Sequence, residues 1–232
     1  TGASHGLGLA IARALAAAGA AVAALARPGP RLEAAVAGLP GAFAVPADVT
    51  REAEVAAAVR AAAGRRDRLD IVVLNAGTWQ GAPLHETSEE LWDRLLDLNL
   101  KGAFLVLKHA APRLVARRRG TVVGIDSLGG RVGLPGSAAY AASKWGLRGL
   151  LESAALELKP HRVRVSLVAP HNMNSDGRPI APGTPERDRN LETADVAALV
   201  AFLCAAPDHV SVGNVTVWPL ATGIRAREWT TD

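Results

Sequence analysis

A tyrosine and a lysine stand four positions apart in Tyr140-Ala141-Ala142-Ser143-Lys144, and Ser127 precedes the tyrosine by thirteen positions. Residues at i and i+4 share one face of a helix. A phenol with a pKa of about 10 exchanges protons poorly at neutral pH, but a neighbouring ammonium group favours the phenolate and lowers that pKa. The pair could therefore exchange a proton with a carbonyl or alcohol substrate, while the Ser127 hydroxyl bonds the substrate oxygen.

A tyrosine–lysine pair at this spacing often occurs by chance and is then structural. A second feature adds weight to the catalytic interpretation. Thr1-Gly2-Ala3-Ser4-His5-Gly6-Leu7-Gly8 places three glycines ahead of an alanine-rich helix. Bare backbone there can approach a pyrophosphate, and the helix N-terminus supplies N–H donors. Glycines in a tight strand-to-helix turn also have a purely steric explanation, so the turn alone is weak evidence for a dinucleotide.

The elements that must position these groups alternate along the chain. Apolar runs predict strands, and most are continuously apolar, as in a parallel sheet covered on both faces. We predict strands at Ala20 to Ala26, Ala42 to Ala47, Asp70 to Leu74, Thr121 to Ile125, Arg162 to Ala169 and Asn214 to Pro219. We predict helices at Gly8 to Ala18, Arg31 to Ala37, Glu52 to Ala63, Glu89 to Arg117, Ala138 to Leu158 and Ala194 to Ala205.

This pattern predicts a doubly wound, Rossmann-like α/β fold with helices on both faces of the sheet, forming a single domain over residues 1–232. The hydrophobic content of 49% suits one large core. Thr50 and Ser88 are the expected N-caps of two helices. A glycine turn of this kind follows the first strand of such a sheet, so we expect that strand to be missing ahead of Thr1. The polar stretch from Asn172 to Asn190 is predicted to be a mobile loop near the site.

Composition limits the function classes. The net charge is +4, but the arginine runs near residues 65–68 and 117–119 fall where helices should end. Only nine aromatic residues (Trp, Tyr, Phe) exist in the chain, which disfavours a nucleic-acid surface. The single cysteine, Cys204, has no disulfide partner, and no apolar run approaches the roughly 20 residues that span a bilayer. We expect a cytoplasmic protein that binds neither nucleic acid nor membrane and has no metal site.

Taken together, these residues resemble the single-domain branch of the short-chain dehydrogenase/reductase (SDR) family, from Thr1 to about Leu220. The resemblance is carried by the glycine turn, Asp48-Val49, Asn75-Ala76-Gly77, Asn99, Ser127, Tyr140 and Lys144. It implies that Tyr140 is the general acid/base and that Lys144 lowers its pKa and holds the nicotinamide ribose. It also implies that Ser127 positions the carbonyl, and that Asn99 kinks a helix and helps to hold a proton-relaying water.

The resemblance further implies a nicotinamide dinucleotide along the carboxyl ends of the strands, with Asp48 bonding the adenine. A turn or capping role is the alternative for Asp48, and a buried helix asparagine is the alternative for Asn99. The residues expected to bind the cofactor are Gly2, Ser4, His5, Gly6, Leu7, Gly8, Arg27, Asp48, Val49, Asn75, Ala76, Gly77, Tyr140, Lys144, Pro170 and Ser175.

The end of the second predicted strand indicates which dinucleotide binds. An NAD enzyme would place an acid there to bond the ribose 2′-hydroxyl, and Ala26 holds that position. Arg27 can pair with the extra phosphate of NADP. NADP(H) is therefore preferred, with NAD(H) as the alternative. Because His5, the residue inside the glycine turn, is mostly neutral at pH 7, the preference could be partial.

Three positions depart from the family pattern. His171 replaces the glycine after Pro170, and it either points into the substrate pocket or faces solvent. Ser175 stands where a threonine would bond the nicotinamide carboxamide. Asp126, in place of a serine, could tune the charge of the site or bond backbone. An apolar pocket wall is expected from Trp79, Leu128, Leu134, Trp145 and Met173, although core packing explains large apolar residues equally well.

The predicted function is an NADP(H)-dependent oxidoreductase that interconverts a ketone or aldehyde and its alcohol. One alternative is a 3-oxoacyl-thioester reductase, with Arg131 and Arg178 meeting an acidic carrier. Another is a non-catalytic, cofactor-sensing protein, in which the tyrosine–lysine pair would be expected to be lost. The two long helices, from Glu89 and from Ala138, carry apolar residues around much of their circumference, which predicts a homodimer or homotetramer.

Overall fold

A computed structural model of the protein describes residues 1–175 and 180–221. Its helices are α1 (Gly6–Ala17), α2 (Pro30–Ala37), α3 (Glu52–Gly64), α4 (Glu89–Leu96), α5 (Gly102–Arg117), α6 (Ala138–Leu158), α7 (Pro185–Asp188) and α8 (Thr193–Ala205). Its strands are β1 (Ala23–Ala26), β2 (Phe43–Pro46), β3 (Ile71–Leu74), β4 (Gly120–Ile125), β5 (Val163–Pro170), β6 (Met173–Asn174), β7 (Leu191–Glu192) and β8 (Asn214–Val217).

All strand pairs in the described ranges are parallel, as the continuously apolar runs predicted. β3, β4, β5 and β8 lie side by side in that order, and β1 pairs with β2. The six predicted strands and six predicted helical stretches are all present, with ends that differ by a few residues. The Rossmann-like α/β prediction is confirmed.

Helices cover both faces of the sheet because the strands are apolar on both sides. Successive strand residues point to opposite faces. Val122 of β4 packs with α3, α5 and α6, whereas Val123 and Ile125 pack with α1 and α8. These strand residues are buried, and they belong to the two core clusters that pack between the sheet and its two helix layers.

The glycine turn lies at the carboxyl ends of β1 and β3. The Ala3 N–H donates to the Leu25 carbonyl at 3.2 Å, and Thr1 Oγ1 accepts from the Asn75 and Ala76 N–H groups at 3.0 and 2.9 Å. β1 and β3 are not hydrogen-bonded to each other within the described residues. An apolar cavity of about 420 Å³ lies between them, beneath the turn.

Three local predictions were wrong. Arg51, not Thr50, is the N-cap of α3, because the Thr50 hydroxyl donates to Asp48 Oδ1 at 2.8 Å instead. Ser88 does cap α4, accepting from the Leu91 N–H.

The long helix predicted from Glu89 is divided by a π-helical segment at Asp97–Lys101. The predicted loop from Asn172 to Asn190 contains α7 and β6, and β6 pairs with β7 where that region is described.

The arginine runs end helices, as expected. α3 ends at Gly64 and α5 ends at Arg117. Asp70, just ahead of β3, pairs with Arg68 at 2.7 Å and with Arg117 at 3.5 Å. These ion pairs lie at the amino-terminal edge of the sheet. Among the described residues, no helix combines the length and the apolar character needed to cross a membrane.

Candidate active site

Helix α6 presents one buried face to the carboxyl end of β4. Ser143 and Lys144 are almost completely buried on it, with Leu147 and Leu151 continuing the same face into the core. This helix matches its predicted bounds exactly, because an alanine-rich segment follows the Pro135-Gly136 turn. The predicted sharing of one face by Tyr140 and Lys144 is confirmed, since Lys144 Nζ lies 5.9 Å from the centre of the Tyr140 ring.

Lys144 is held by the strand that it faces. Its Nζ donates to the Ile125 carbonyl at 2.8 Å, at the last residue of β4. Burial lowers the pKa of Lys144 from 10.5 to about 8, and the nearby Asp126 carboxylate opposes that shift. The ammonium is therefore fixed in place at neutral pH, next to the phenol.

The sequence-based expectation for the tyrosine pKa differs from the structure. Burial raises the pKa of Tyr140 above its usual value of 10.0; a hydrogen-bonding interaction with the Ser127 side chain lowers it, and the charge of Asp126 raises it. Desolvation is the largest of these effects because the ring is mostly buried, packed with Leu91 and Leu95 of α4. In the protein itself, Tyr140 is a protonated phenol, suited to donating a proton.

Ser127 is placed by a tight turn at the end of β4. Its Oγ accepts from the Gly129 N–H at 3.2 Å and caps the single turn Leu128–Gly130. A Cβ at position 129 would lie 3.0 Å from the Tyr140 ring, so this glycine lets the phenol approach the serine. Serine and tyrosine are thereby brought together, as predicted.

Asn99 occupies the π-helical segment and is almost completely buried, in agreement with the alternative of a buried helix asparagine. Its Oδ1 accepts from the Thr78 N–H at 2.8 Å, and its Nδ2 donates to the Thr78 carbonyl and to Ser143 Oγ, each at 3.0 Å. Ser143 in turn donates to the Tyr140 carbonyl at 2.7 Å. Asn99 thus links the loop after β3 to the tyrosine helix. Sequence reasoning missed Ser143, although it lies inside the Tyr-x-x-x-Lys segment.

The glycine turn fits a pyrophosphate. Gly2 and Gly6 have φ values of +65° and +53°, which L side chains adopt only with strain, and a Cβ at Gly8 would collide with the Gly2 carbonyl. The first N–H groups of α1 have no partner within the helix and point toward the turn. A side chain at any of these glycines would fill the space over the turn, and the unpaired N–H groups of the helix point toward that space. Both features suit a bound phosphate.

The segment after β3 completes this cradle. Asn75 Nδ2 donates to the Thr1 carbonyl at 2.8 Å and would also meet a Cβ at Gly8. Gly77 lies against Asn99 Oδ1. Asn75-Ala76-Gly77 therefore joins the glycine turn to the asparagine of the π-helical segment, and the predicted cofactor residues lie along one continuous edge of the sheet.

Comparison with known proteins identifies this arrangement. The short chain dehydrogenase profile matches residues 1–180. A short-chain dehydrogenase/reductase of Hericium erinaceus is 36% identical over 183 residues, covering 75% of this chain and 73% of its own length. A metagenomic short-chain oxidoreductase, solved in complex with NADP, is 39% identical with a TM-score of 0.81 and covers 94% of both chains. The chain belongs to the short-chain dehydrogenase/reductase family. It is an oxidoreductase of this NAD(P)-dependent class.

A second solved relative agrees. The alcohol dehydrogenase of the archaeon Thermococcus sibiricus, complexed with 5-hydroxy-NADP, is 29% identical with a TM-score of 0.87, and the match covers 97% of this chain and 96% of that one. The similarity therefore extends beyond the glycine turn to nearly the whole SDR fold.

Asp48 has an observed structural role in this SDR. Its Oδ1 accepts from the Thr50 N–H at 2.9 Å, and this bond is the main cause of its lowered pKa; the charges of Arg51 and Arg27 also contribute. The turn role that was the alternative for Asp48 is thus present. Val49 and Leu7 are core residues, so only their backbone faces the cofactor edge.

His171, in the segment after β5, makes a contact that neither expectation included. Its ring stacks on Trp218 with 4.8 Å between centroids, and the residue is partly exposed. Burial lowers the pKa of His171, and its Nδ1 is buried without a hydrogen-bond partner among the described residues. Ser175 lies on the cofactor side, since its carbonyl would be 3.4 Å from a Cβ at Gly6.

The predicted pocket wall divides into two groups. Trp79 and Leu134 stand exposed on adjoining loops, which are joined by the Ala82 N–H bond to the Gly136 carbonyl. Met173 instead packs against the core beside α1 and α8. Trp145 follows Lys144 by one position and is 49% exposed, about 100° round the helix from the lysine. Trp79 and Leu134 are therefore exposed apolar side chains on two loops that a backbone hydrogen bond holds together.

Proposed function

We propose that this protein is an NADP(H)-dependent oxidoreductase that interconverts a ketone or aldehyde and its alcohol. The observation that carries the proposal is the convergence of Ser127, Tyr140 and Lys144 at the carboxyl end of β4. The phenol lies so close to Gly129 that a Cβ there would be 3.0 Å from its ring; the serine hydroxyl stands on the same turn, and the lysine ammonium lies 5.9 Å from the ring centre. Together these groups form a proton-exchange site at the carboxyl end of β4.

Each residue has a distinct task in this proposal. The nicotinamide cofactor supplies or accepts the hydride when bound, and the glycine turn, the segment 75–77, Lys144, Pro170 and Ser175 would hold it. Ser127 donates a hydrogen bond to the substrate carbonyl oxygen. Tyr140 gives its proton to that oxygen in reduction and takes it back in oxidation. Lys144 stabilises the phenolate that remains.

The assay follows NADPH absorbance with small ketones, quinones and 3-oxoacyl thioesters, and NADPH binding is measured in parallel. Turnover on ketones or aldehydes supports the proposal. Tight NADPH binding with no turnover on any class would contradict it and favour a cofactor-sensing role. The intact tyrosine–lysine pair argues against that role.

The proposed preference for NADP(H) over NAD(H) rests on the residues at the end of β1. Ala26 is buried there and the following Arg27 is exposed, close enough to Asp48 to lower its pKa. Both solved relatives described above were complexed with NADP or a derivative of it. Replacing Arg27 with Gln should weaken NADPH binding about tenfold, because a charge-assisted bond to the 2′-phosphate is lost. NADH binding should change little, as isothermal titration would show.

Two further variants sharpen this test. Ala26→Asp should erase the preference for NADPH by repelling the 2′-phosphate. Arg31→Gln removes the same charge from the exposed start of α2 and should leave both affinities unchanged. Equal NADPH and NADH affinities in the parent protein would contradict the preference.

The acyl-thioester alternative loses one of its two supports. Arg131 does not stand at the mouth as a free cation, because its side chain is mostly buried with its Nε 3.5 Å from Asp126 Oδ2. Arg178 lies outside the described residues. Arg131 is therefore not available at the mouth to meet an acidic carrier.

We also propose a homo-oligomer. Phe104, Trp145 and Leu156 of α5 and α6 are 43%, 49% and 75% exposed, although the opposite faces of both helices are buried. Large apolar side chains exposed on neighbouring helices indicate an interface. Light scattering should give a dimer or tetramer, and Trp145→Glu should shift the protein toward monomer. A monomeric parent protein would refute this.

A further inference from the structure

A buried carboxylate that the proposed mechanism does not use lies directly behind the site. Asp126 follows the last residue of β4, and its side chain is completely buried. Neither of its carboxylate oxygens makes a well-formed hydrogen bond among the described residues, and only the neighbouring Ser127 backbone N–H comes near enough to favour the charged form. A buried charge with so little hydrogen bonding is costly unless other charges compensate it. The surroundings of Asp126 supply that compensation.

The turn after Ser127 is shaped around this carboxylate. Gly130 lies so close that a Cβ there would collide with Asp126 Oδ1. The next residue, Arg131, brings its Nε to 3.5 Å from Asp126 Oδ2, and its Nε and Nη2 also lack hydrogen-bond partners in the described ranges. The contact is therefore an ion pair without a well-formed hydrogen bond, so the arginine only partly neutralises the negative charge of the carboxylate.

Within residues 1–175 and 180–221, the other charged or titratable groups that interact electrostatically with Asp126 belong to α6. They are Tyr140, Lys144 and, further along, Arg148. Lys144 Nζ bonds the Ile125 carbonyl, which belongs to the peptide group that leads into Asp126. Burial raises the pKa of Asp126; the charge of Lys144, the Ser127 backbone N–H and the charges of Arg131 and Arg148 lower it. Conversely, the carboxylate raises the pKa of both Lys144 and Tyr140.

We propose that Asp126 is a positioning residue that sets the charge of the Tyr140–Lys144 pair: its carboxylate holds the protons on both groups, and Arg131 moderates its effect. A phenol that keeps its proton is a donor, so Asp126 biases the site toward carbonyl reduction. The statement about direction rests on the proposed function. The statement about charge does not, because it can be tested without substrate or cofactor.

Tyr140 is the only tyrosine in the chain, so its ionisation can be observed alone. Protein labelled with ¹³C at the tyrosine ζ carbon gives one NMR signal that moves when the phenol ionises. In Asp126→Asn, that titration should move to lower pH by about one unit, since a nearby negative charge is lost. In Arg131→Met it should move to higher pH, since the lost charge is positive.

The two variants are expected to shift the pKa of Tyr140 in opposite directions, and this distinguishes an effect of charge from an effect of packing. Breaking the ion pair from either side could loosen the site, and rehydration of the phenol would then lower its pKa in both variants. A lowered pKa in Arg131→Met, or no shift in Asp126→Asn, would therefore overturn the proposal. The Arg131 variant decides the question even if Asp126→Asn does not fold. Asp70→Asn is the control, because Asp70 also lies 3.5 Å from an arginine but at the other end of the sheet, and it should cause no shift.

Turnover gives the separate test of direction. The pH above which carbonyl reduction declines should fall by about one unit in Asp126→Asn, whereas Asp70→Asn should follow the parent profile. An NMR shift of the expected sign in a protein that reduces no carbonyl would support the charge role and refute the proposed function. A reduction profile that does not move, despite the NMR shift, would overturn the bias toward reduction.

Discussion

Replacing Tyr140 with Phe should lower kcat for carbonyl reduction by about 10²–10⁴-fold, the usual contribution of a general acid. The ring should keep its packing against Gly129 and the α4 leucines, because only the hydroxyl is removed. NADPH affinity should therefore stay close to that of the parent protein, and stability should change by about 1 kcal/mol or less. Steady-state kinetics, NADPH titration and thermal unfolding measure the three quantities.

Ser153→Ala is the matched control for this variant. It removes a hydroxyl from the exposed side of the same helix and should leave kcat unchanged. If Tyr140→Phe retained most of the parent kcat, another group would have to supply the proton and the proposed mechanism would be wrong.

Replacing Lys144 with Met should lower kcat by at least about 10²-fold and weaken NADPH binding about tenfold. The first effect follows because no cation then stabilises the phenolate, and the second because the proposed bonds to the ribose are lost. Both constants come from the same steady-state assay and binding titration. Unchanged NADPH affinity would remove the ribose-binding role and leave only the electrostatic one.

Lys144→Met should also change how the free energy of unfolding depends on pH. The folded protein holds the pKa of Lys144 at about 8, whereas the unfolded chain restores 10.5. Between these values the unfolded state binds more protons, so Lys144 makes the free energy of unfolding rise with pH, by roughly 3 kcal/mol across the window. Below about pH 8 the lysine is charged in both states and the full burial penalty applies.

Urea unfolding below pH 8 and at about pH 10 should show this rise in the parent protein and lose it in Lys144→Met. Lys159→Met, which removes an exposed lysine just past the end of α6, should keep the parent slope. Identical slopes in Lys144→Met and the parent would mean that the lysine is solvated in the folded state.

Local rules predicted the framework of the site because its signals are short in sequence. The continuously apolar strands placed β3, β4 and β5 in one parallel sheet, and Ser88 acted as the N-cap that its type predicted. Tyr140 and Lys144 share a helix, so their four-residue spacing alone places them on one face. The comparisons confirmed the family that these motifs indicated.

The contacts that sequence reasoning missed are of two kinds. Thr50 was expected to cap α3, but its hydroxyl bonds Asp48, two positions earlier, so two local motifs competed for one side chain. His171 stacks on Trp218, forty-seven positions away, and no local pattern encodes that contact because it depends on which strand ends meet. The pKa of Tyr140 belongs to the same class, since it reflects how deeply the ring is buried rather than which residue lies four positions on.

Sequence spacing alone established the glycine turn, the parallel sheet and the serine–tyrosine–lysine constellation, because turn chemistry and helix and strand periods act over a few residues. Only the tertiary structure decided the electrostatics of that constellation. Asp126, Arg131 and Lys144 come from a strand end, a turn and a helix, and their mutual burial strengthens charges that water would screen. Whether Tyr140 holds or releases its proton is therefore a property of the folded core, and its four-residue spacing from Lys144 does not determine it.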